Sequence, residues 1–284
     1  MWQCCHKVYV SYNNLRKQLK QRETRCNYQK WKKAFLDYQK AKKKAKRWEK
    51  KLLKKLLKFL LRLLELHNKM GEAKKISLSN KQRAQILTLT KVYEQQHEKV
   101  YGKVEQIKDR IVSLSKPYIR PIVRGKEAKA VEFGAKVNKL QVDGLCFIEH
   151  FSYDAFHEGT RLQHTIALHR QLFGKCTHHS ADKIYATHQN RTYCKRQNIV
   201  TNFIPKGKQK PQHVEQSKVM RAVLDKERST RLEGSFGNEK NHYLLGKVNA
   251  RNAVTEKCWI FFGIRTATAS FIVCRRQKAL AKAA

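Results

Sequence analysis

The sequence predicts an α/β protein, a mixed sheet with covering helices, preceded by a long helical region. Three observations predict it. Residues 14 to about 108 contain no proline and only two glycines, Gly71 and Gly102. Within them, leucines recur at helical spacing. From about residue 109 the texture changes: prolines and turn pairs appear, and apolar runs of strand length alternate with helical runs. The 284 residues, 41% of them hydrophobic, suffice for one large or two small domains. The expected division is a basic helical region at 1–108 and a sheet-bearing region at 109–284.

Each element follows from its residues. "HKVYVSYNN" near the start is strand-like. In "AKKKAKRWEKKLLKKLLKFLLRLLELHNKMG", Leu52, Leu53, Leu56, Leu57, Leu60, Leu63 and Leu64 fall on one helix face. Lys51, Lys54, Lys55, Lys58 and Arg62 fall mostly on the other. Gly71 is the expected C-terminal stop. A second helix begins after "SLSN", capped by Ser79 or Asn80. "AVEFGAKVN" and "LCFIEHFSY" read as strands joined by "KLQVDG", in which Asp143-Gly144 is a hairpin turn pair. Residues 160–173 read as helix, "HSAD" as strand, "THQNRTYCKRQ" as helix and "NIVTNFI" as strand. The stretch "VMRAVLDKERSTRLEGSFGNEKNHYLLG" reads as helix in pieces, interrupted by Gly234 and Gly237.

Charge narrows the function. Sixty-two Lys and Arg stand against 22 Asp and Glu, a net charge of +40. Such a chain repels itself and calls for a polyanion. Nucleic acid, double-stranded DNA among it, is the first candidate, because neutralising phosphates releases counterions, and an anionic membrane surface is the second. The basic loop carrying Arg120, Arg124 and Lys126 offers phosphate contacts. The 8 Cys form no CxxC pair and imply free thiols in a reducing cytoplasm. No stretch reaches the roughly 18 uncharged apolar residues of a spanning helix. "CWIFFGIRTATASFIVC" comes nearest and is interrupted by Arg265, so no membrane partner is expected.

Three constellations bear on chemistry. Asp182 lies at a strand end, and Glu233 lies seven residues before Lys240, two helical turns away. These are solvated surface acids or ligands of a divalent cation in phosphoryl transfer. Cys176, His178, His179, His188 and Cys194 are of zinc-binding types, but their spacing matches no zinc pattern, so zinc is not expected. The basic amphipathic helix at 42–66 covers a core or lies on a charged surface.

Four blocks occur in order: "DRIVSLSKPYIRPIVRGKEAKAVEFGAKV", "FSYDAFHEG", "ADKIYATHQNRTYCKRQNI" and "EGSFGNEKNHYLLGKV". Together they resemble DDE transposases of bacterial insertion sequences, and the region before them resembles that family's helical insertion. The resemblance implies an incomplete ribonuclease H-like mixed sheet, and metal-dependent cleavage and strand transfer of DNA with Mg²⁺ or Mn²⁺. It makes Asp182 the second catalytic aspartate, Glu233 the catalytic glutamate and Lys240 a DNA contact, in a bacterial cytoplasmic protein at the nucleoid that is compatible with a homo-oligomer. Ser229 stands where the family has an arginine four residues before the glutamate. No residue matches the family's first aspartate: Asp37 is in a basic helical stretch, Asp143 in a turn, and Asp154 in a non-catalytic block. The expectation is therefore a truncated, inactive remnant that retains DNA binding, with strand edges exposed where the opening strand is missing. The alternative is a non-catalytic basic nucleic-acid-binding protein.

Overall fold

The leucine stripe organises the first of two units. The computed structural model describes residues 1–73, 78–123, 131–207 and 211–283. It divides into Met1–Pro117 and Tyr118–Ala284. The first unit contains four helices: α1 (Trp2–Gln18), α2 (Tyr28–Lys40), α3 (Lys46–Ala73) and α4 (Asn80–Tyr101). Leu56, Leu57, Leu60, Leu63 and Leu64 of α3 are buried, while Lys51, Lys54, Lys55, Lys58 and Arg62 face solvent. Cys4, Cys5 and Val8 of α1 pack against this stripe. Two hydrogen bonds fix α1 on α3: Cys5 Sγ to the Leu56 carbonyl, and Ser11 Oγ with His67 Nε2 at 3.0 Å. The helix at 42–66 thus spends its apolar face on a protein core.

The structure departs from expectation at both ends of this unit. "HKVYVSYNN" lies inside α1. Its β-branched and aromatic residues favour a strand locally, but Val8 and Tyr12, four apart, bury one helical face. Gly71 does not stop α3, which continues to Ala73. Ser79 caps α4 as expected. Its hydroxyl accepts from Gln82 N, and the Gln82 side chain accepts from Ser79 N, a reciprocal capping box.

The second unit is mixed α and β, as predicted in class, and mostly helical. Its strands are β1 (Pro121–Val123), β2 (Val131–Phe133), β3 (Lys136–Val142), β4 (Leu145–Ser152), β5 (His178–His179) and β6 (Val200–Thr201). Among the described residues they pair only in twos, where the sequence predicts one mixed sheet: β1–β2 and β3–β4 antiparallel, β5–β6 parallel. The hairpin turn is at Asp143-Gly144, with φ of 49° and 84°. Both values lie in the left-handed region of a two-residue turn. Gly144 has a second reason to be glycine, because a Cβ there would collide with the Phe271 ring.

Five further helices complete the unit: α5 (Leu162–Phe173), α6 (His188–Arg196), α7 (Pro211–Glu227), α8 (Glu233–His242) and α9 (Ala253–Ala283). Leu162, Ile166, Cys176, Ala181, Cys194, Ile199 and Phe203 form a core joining α5, α6 and the β5–β6 pair. Cys146, Ile260 and Ile264 form a second, between the β3–β4 hairpin and α9. Gly234 and Gly237 do not interrupt the helix. Instead a π turn at Arg228–Leu232 links α7 to α8 without a break. Among the described residues α9 is the one helix long and apolar enough to cross a membrane by length and composition, and little of that stretch is buried. It tolerates the Arg265 interruption because the remaining run is apolar enough. All eight cysteines are free.

Two outcomes test the cores. Leu60→Ala should destabilise the Met1–Pro117 unit by about 2–5 kcal/mol, since Leu60 is fully buried. Its exposed neighbour Leu61→Ala should change little; urea denaturation followed by circular dichroism reads both. His179 Nε2 is buried without a hydrogen-bond partner, and burial, followed by the nearby His169 charge, lowers its pKa to about 4. The unfolded chain takes up this proton near the ordinary value of 6.5. Stability from the neutral ring is therefore full above pH 6.5 and is lost as pH falls toward 4. His179→Gln should flatten that acid limb in melts taken across the same range.

Candidate functional site

The turn after β5 positions Asp182. Asp182 caps a 3₁₀ turn at Lys183–Tyr185, its carboxylate accepting from Lys183 N at 2.6 Å. Three neighbouring hydrogen bonds fix the segment just before it. Ser180 Oγ donates to the Leu224 carbonyl of α7, at 2.8 Å. Asn202, just after β6, accepts from Ala181 N and donates to Ala181 O. Asn202 Nδ2 also donates to Asp225 Oδ1 at 2.7 Å. Asp225 is thus a carboxylate tied through Asn202 to the segment that carries Asp182, and sequence reasoning missed it. Its signal was present, an acid one helical residue from an apolar contact, but nothing in the spacing singled it out.

Behind Asp182 lies a polar network. Tyr185 Oη donates to Asn138 Oδ1 at 2.6 Å. Asn138 Nδ2 donates to Glu149 Oε2 and Thr165 Oγ1. Glu149 also pairs with Arg161. Burial raises the Glu149 pKa, but the Arg161 and Asn138 hydrogen bonds outweigh it and hold the carboxyl below its usual range. Burial, then the charges of Glu158, Glu149 and Asp182, pushes the Tyr185 phenol well above its ordinary value. Asn190 Nδ2 donates to the carbonyls of Gly159 and Tyr185. That side chain binds together two of the sequence blocks, "FSYDAFHEG" and "ADKIYATHQNRTYCKRQNI".

Glu233 is elsewhere on the helix. It is the first residue of α8, directly after the π turn, and its carboxylate pairs with Arg228 at 2.7 Å. Lys240 is exposed, in the last turn of α8, as the two-turn spacing requires. Arg120 lies 3.9 Å from the Asp154 carboxylate and donates to the Ile119 carbonyl. Arg124 and Lys126 lie outside the described residues.

The buried acid of α8 is Glu239. Its carboxylate meets Lys139 Nζ at 2.7 Å, with both side chains almost fully enclosed. Lys139 also donates to Ser235 Oγ at 2.8 Å and sits 3.9 Å from the Phe236 ring centre. The sequence reading treated "KLQV" as a connection and so missed Lys139. Extending the strand to the Asp143-Gly144 turn would have placed it.

Asp182 and Glu233 each engage a different local donor. Among the described residues no group of three or more His, Cys, Asp or Glu is arranged to hold a metal ion. Cys176 and Cys194 are buried core thiols. Burial, then the neighbouring Cys176, pushes Cys194 up to about 11, so it stays protonated at neutral pH. His178 hydrogen-bonds Thr177, next to it in sequence.

Compared with protein-family models, with curated proteins and with solved structures, the chain matches none of them. The site is therefore read from its own geometry.

The two helix acids should behave differently on neutralisation. Glu239→Gln leaves the Lys139 ammonium buried without its counter-charge and should cost about 3–5 kcal/mol. Glu233→Gln removes an exposed pair and should cost under about 1 kcal/mol. Thermal melts of the two variants check the contrast.

Proposed function

We propose that this chain binds double-stranded DNA as a catalytically silent relative of the DDE transposases of bacterial insertion sequences. The observation that carries the binding is the split face of α3. Leu52, Leu56, Leu57, Leu60, Leu63 and Leu64 are buried, while Lys51, Lys54, Lys55, Lys58 and Arg62 are all exposed. An excess of 40 positive charges leaves most such side chains without an acidic partner. Their counterpart is a phosphate backbone, bound through counterion release.

The transposase relationship rests on the four ordered blocks, and two local features support it. Asp182 follows a strand that is parallel to its neighbour, the placement a ribonuclease H-like site gives to an acid. Glu233 and Lys240 lie on one regular helix, after a π turn. Such turns recur at functional sites. The proposed fold is a ribonuclease H-like domain, behind a helical insertion. The proposed location is the bacterial nucleoid, and a homo-oligomer is compatible with it.

Silence follows from the carboxylates. Two-metal chemistry needs acids converging on a pair of cations about 3.5–4 Å apart. This sequence offers no residue matching the family's first aspartate, and Asp182 and Glu233 each engage a different local partner. The alternative, a basic nucleic-acid-binding protein unrelated to transposition, shares the binding and lacks any role for Mg²⁺ or Mn²⁺.

The purified chain should bind duplex DNA with an affinity that falls steeply as salt rises, and should not cut element-end DNA with Mg²⁺ or Mn²⁺. The Asp182→Ala/Glu233→Ala double variant should bind as the parent does. Fluorescence anisotropy and a gel-based cleavage assay read both. Cleavage abolished by Asp182→Ala would sink the silent reading, and binding indifferent to salt would sink the electrostatic one.

A further inference from the structure

We propose that Arg231 and Arg275 form a site for one phosphodiester of the DNA backbone, occupied in this structure by the carboxylate of Asp143. The inference rests on the DNA-binding reading and adds a particular site and a gate to it.

The two arginines come from distant parts of the chain, Arg231 from the π turn and Arg275 from the far half of α9. Both converge on the tip of the β3–β4 hairpin. Arg231 Nη1 lies 3.4 Å from Asp143 Oδ1, and Arg275 Nη1 donates to Asp143 Oδ2. Arg231 Nε pairs with Glu227 Oε2 at 2.7 Å, which orients its guanidinium and leaves Nη1 directed at the turn. The two non-bridging oxygens of a phosphodiester present the same acceptor pair as a carboxylate, and guanidinium groups recognise both.

The contact is built to open. The side chains of Arg231, Asp143 and Arg275 are 52%, 56% and 59% exposed, and exposed pairs are weak. They stand at a cleft of about 590 Å³ whose lining includes Ser235, Asn238 and Thr268, all hydrogen-bonding side chains. The Arg275 hydrogen bond, then the charges of Arg275 and Arg231, holds the Asp143 carboxyl below its usual range. Asp143 is therefore an anion at neutral pH, in direct competition with DNA for two cations. A polyanion drawn by the whole chain's charge wins where one exposed carboxylate yields.

The turn itself supplies a clean variant. Asn-Gly is at least as good as Asp-Gly where both residues have positive φ. Asp143→Asn keeps the hairpin and removes the competing charge. It should bind a short fluorescein-labelled DNA duplex roughly fivefold tighter than the parent, the scale of one exposed ion pair. Arg275→Gln should bind more weakly and lower the slope of log affinity against log salt by about 1. In an Arg231→Gln/Arg275→Gln background, Asp143→Asn should gain nothing. Circular dichroism melts confirm that each variant is folded. If the parent binds DNA with a steep salt dependence while Asp143→Asn and Arg275→Gln match it, the site is refuted and the DNA reading stands. If Asp143→Asn tightens binding equally without the two arginines, the gain is general charge and the site is again refuted. If the parent shows no salt-sensitive binding, both readings fall.

Discussion

The buried pair of Lys139 and Glu239 is the interaction on which the second unit depends. Enclosing an ammonium and a carboxylate carries a large desolvation cost, offset only when each finds its full complement of partners. Lys139 has three: the carboxylate, the Ser235 hydroxyl and the face of Phe236. All three lie on α8, so this one side chain fastens the hairpin to the helix. Gln141, two residues on along the same face, adds a hydrogen bond to the Arg231 carbonyl. On that same face, which Cys146 shares with Gln141, the hairpin also packs on α9 through Cys146, Ile260 and Ile264.

The pleat of β3 explains how two neighbouring polar residues are both buried, and a bulge in the facing strand serves one of them. The register shifts between Asn138 and Lys139, which face His150 and Ile148 and leave Glu149 as the extra residue. Successive side chains on a strand point to opposite faces. Lys139 therefore reaches α8, while Asn138 reaches Tyr185, Thr165 and Glu149 on the other side. A bulge re-aims the extra side chain, and here it turns Glu149 onto Arg161 and Asn138. The segment carrying Asp182 and the helix carrying Glu233 are thereby secured to adjacent residues of one strand, on opposite faces.

What was legible in the sequence was what local chemistry decides. The leucine stripe of α3, the Ser79 cap and the Asp143-Gly144 turn each depend on residues within a turn or two. The missed features depend on partners far along the chain. "HKVYVSYNN" became helix because Val8 and Tyr12 found a core on α3, which propensity does not register. Gly234 and Gly237 stayed helical because Ser235, between them, and Glu239, just beyond them, fasten the helix to Lys139. For the site, the positions of Asp182, Glu233 and Lys240 on strand end and helix followed from their neighbours. The fastening of the Asp182 segment did not, since it depends on Leu224 and Asn202, far along the chain. The Lys139–Glu239 and Asp143–Arg275 partnerships span about a hundred residues or more, and no spacing rule reaches that far.

The π turn at Arg228–Leu232 has a genetic consequence. A π turn accommodates one residue more than the α-helix around it, so it acts as a phase adjuster between α7 and α8. Ahead of it, the helix is held at Leu224 by Ser180; beyond it, the helix is held at Glu239 by Lys139. Loss of a single codon in this turn would restore uninterrupted α-helix and rotate everything beyond it by about 100° relative to α7. Glu239 would swing away from Lys139, and Glu233 with it. A one-codon deletion here would be far more damaging than most substitutions at the same positions, although none of its five side chains is buried.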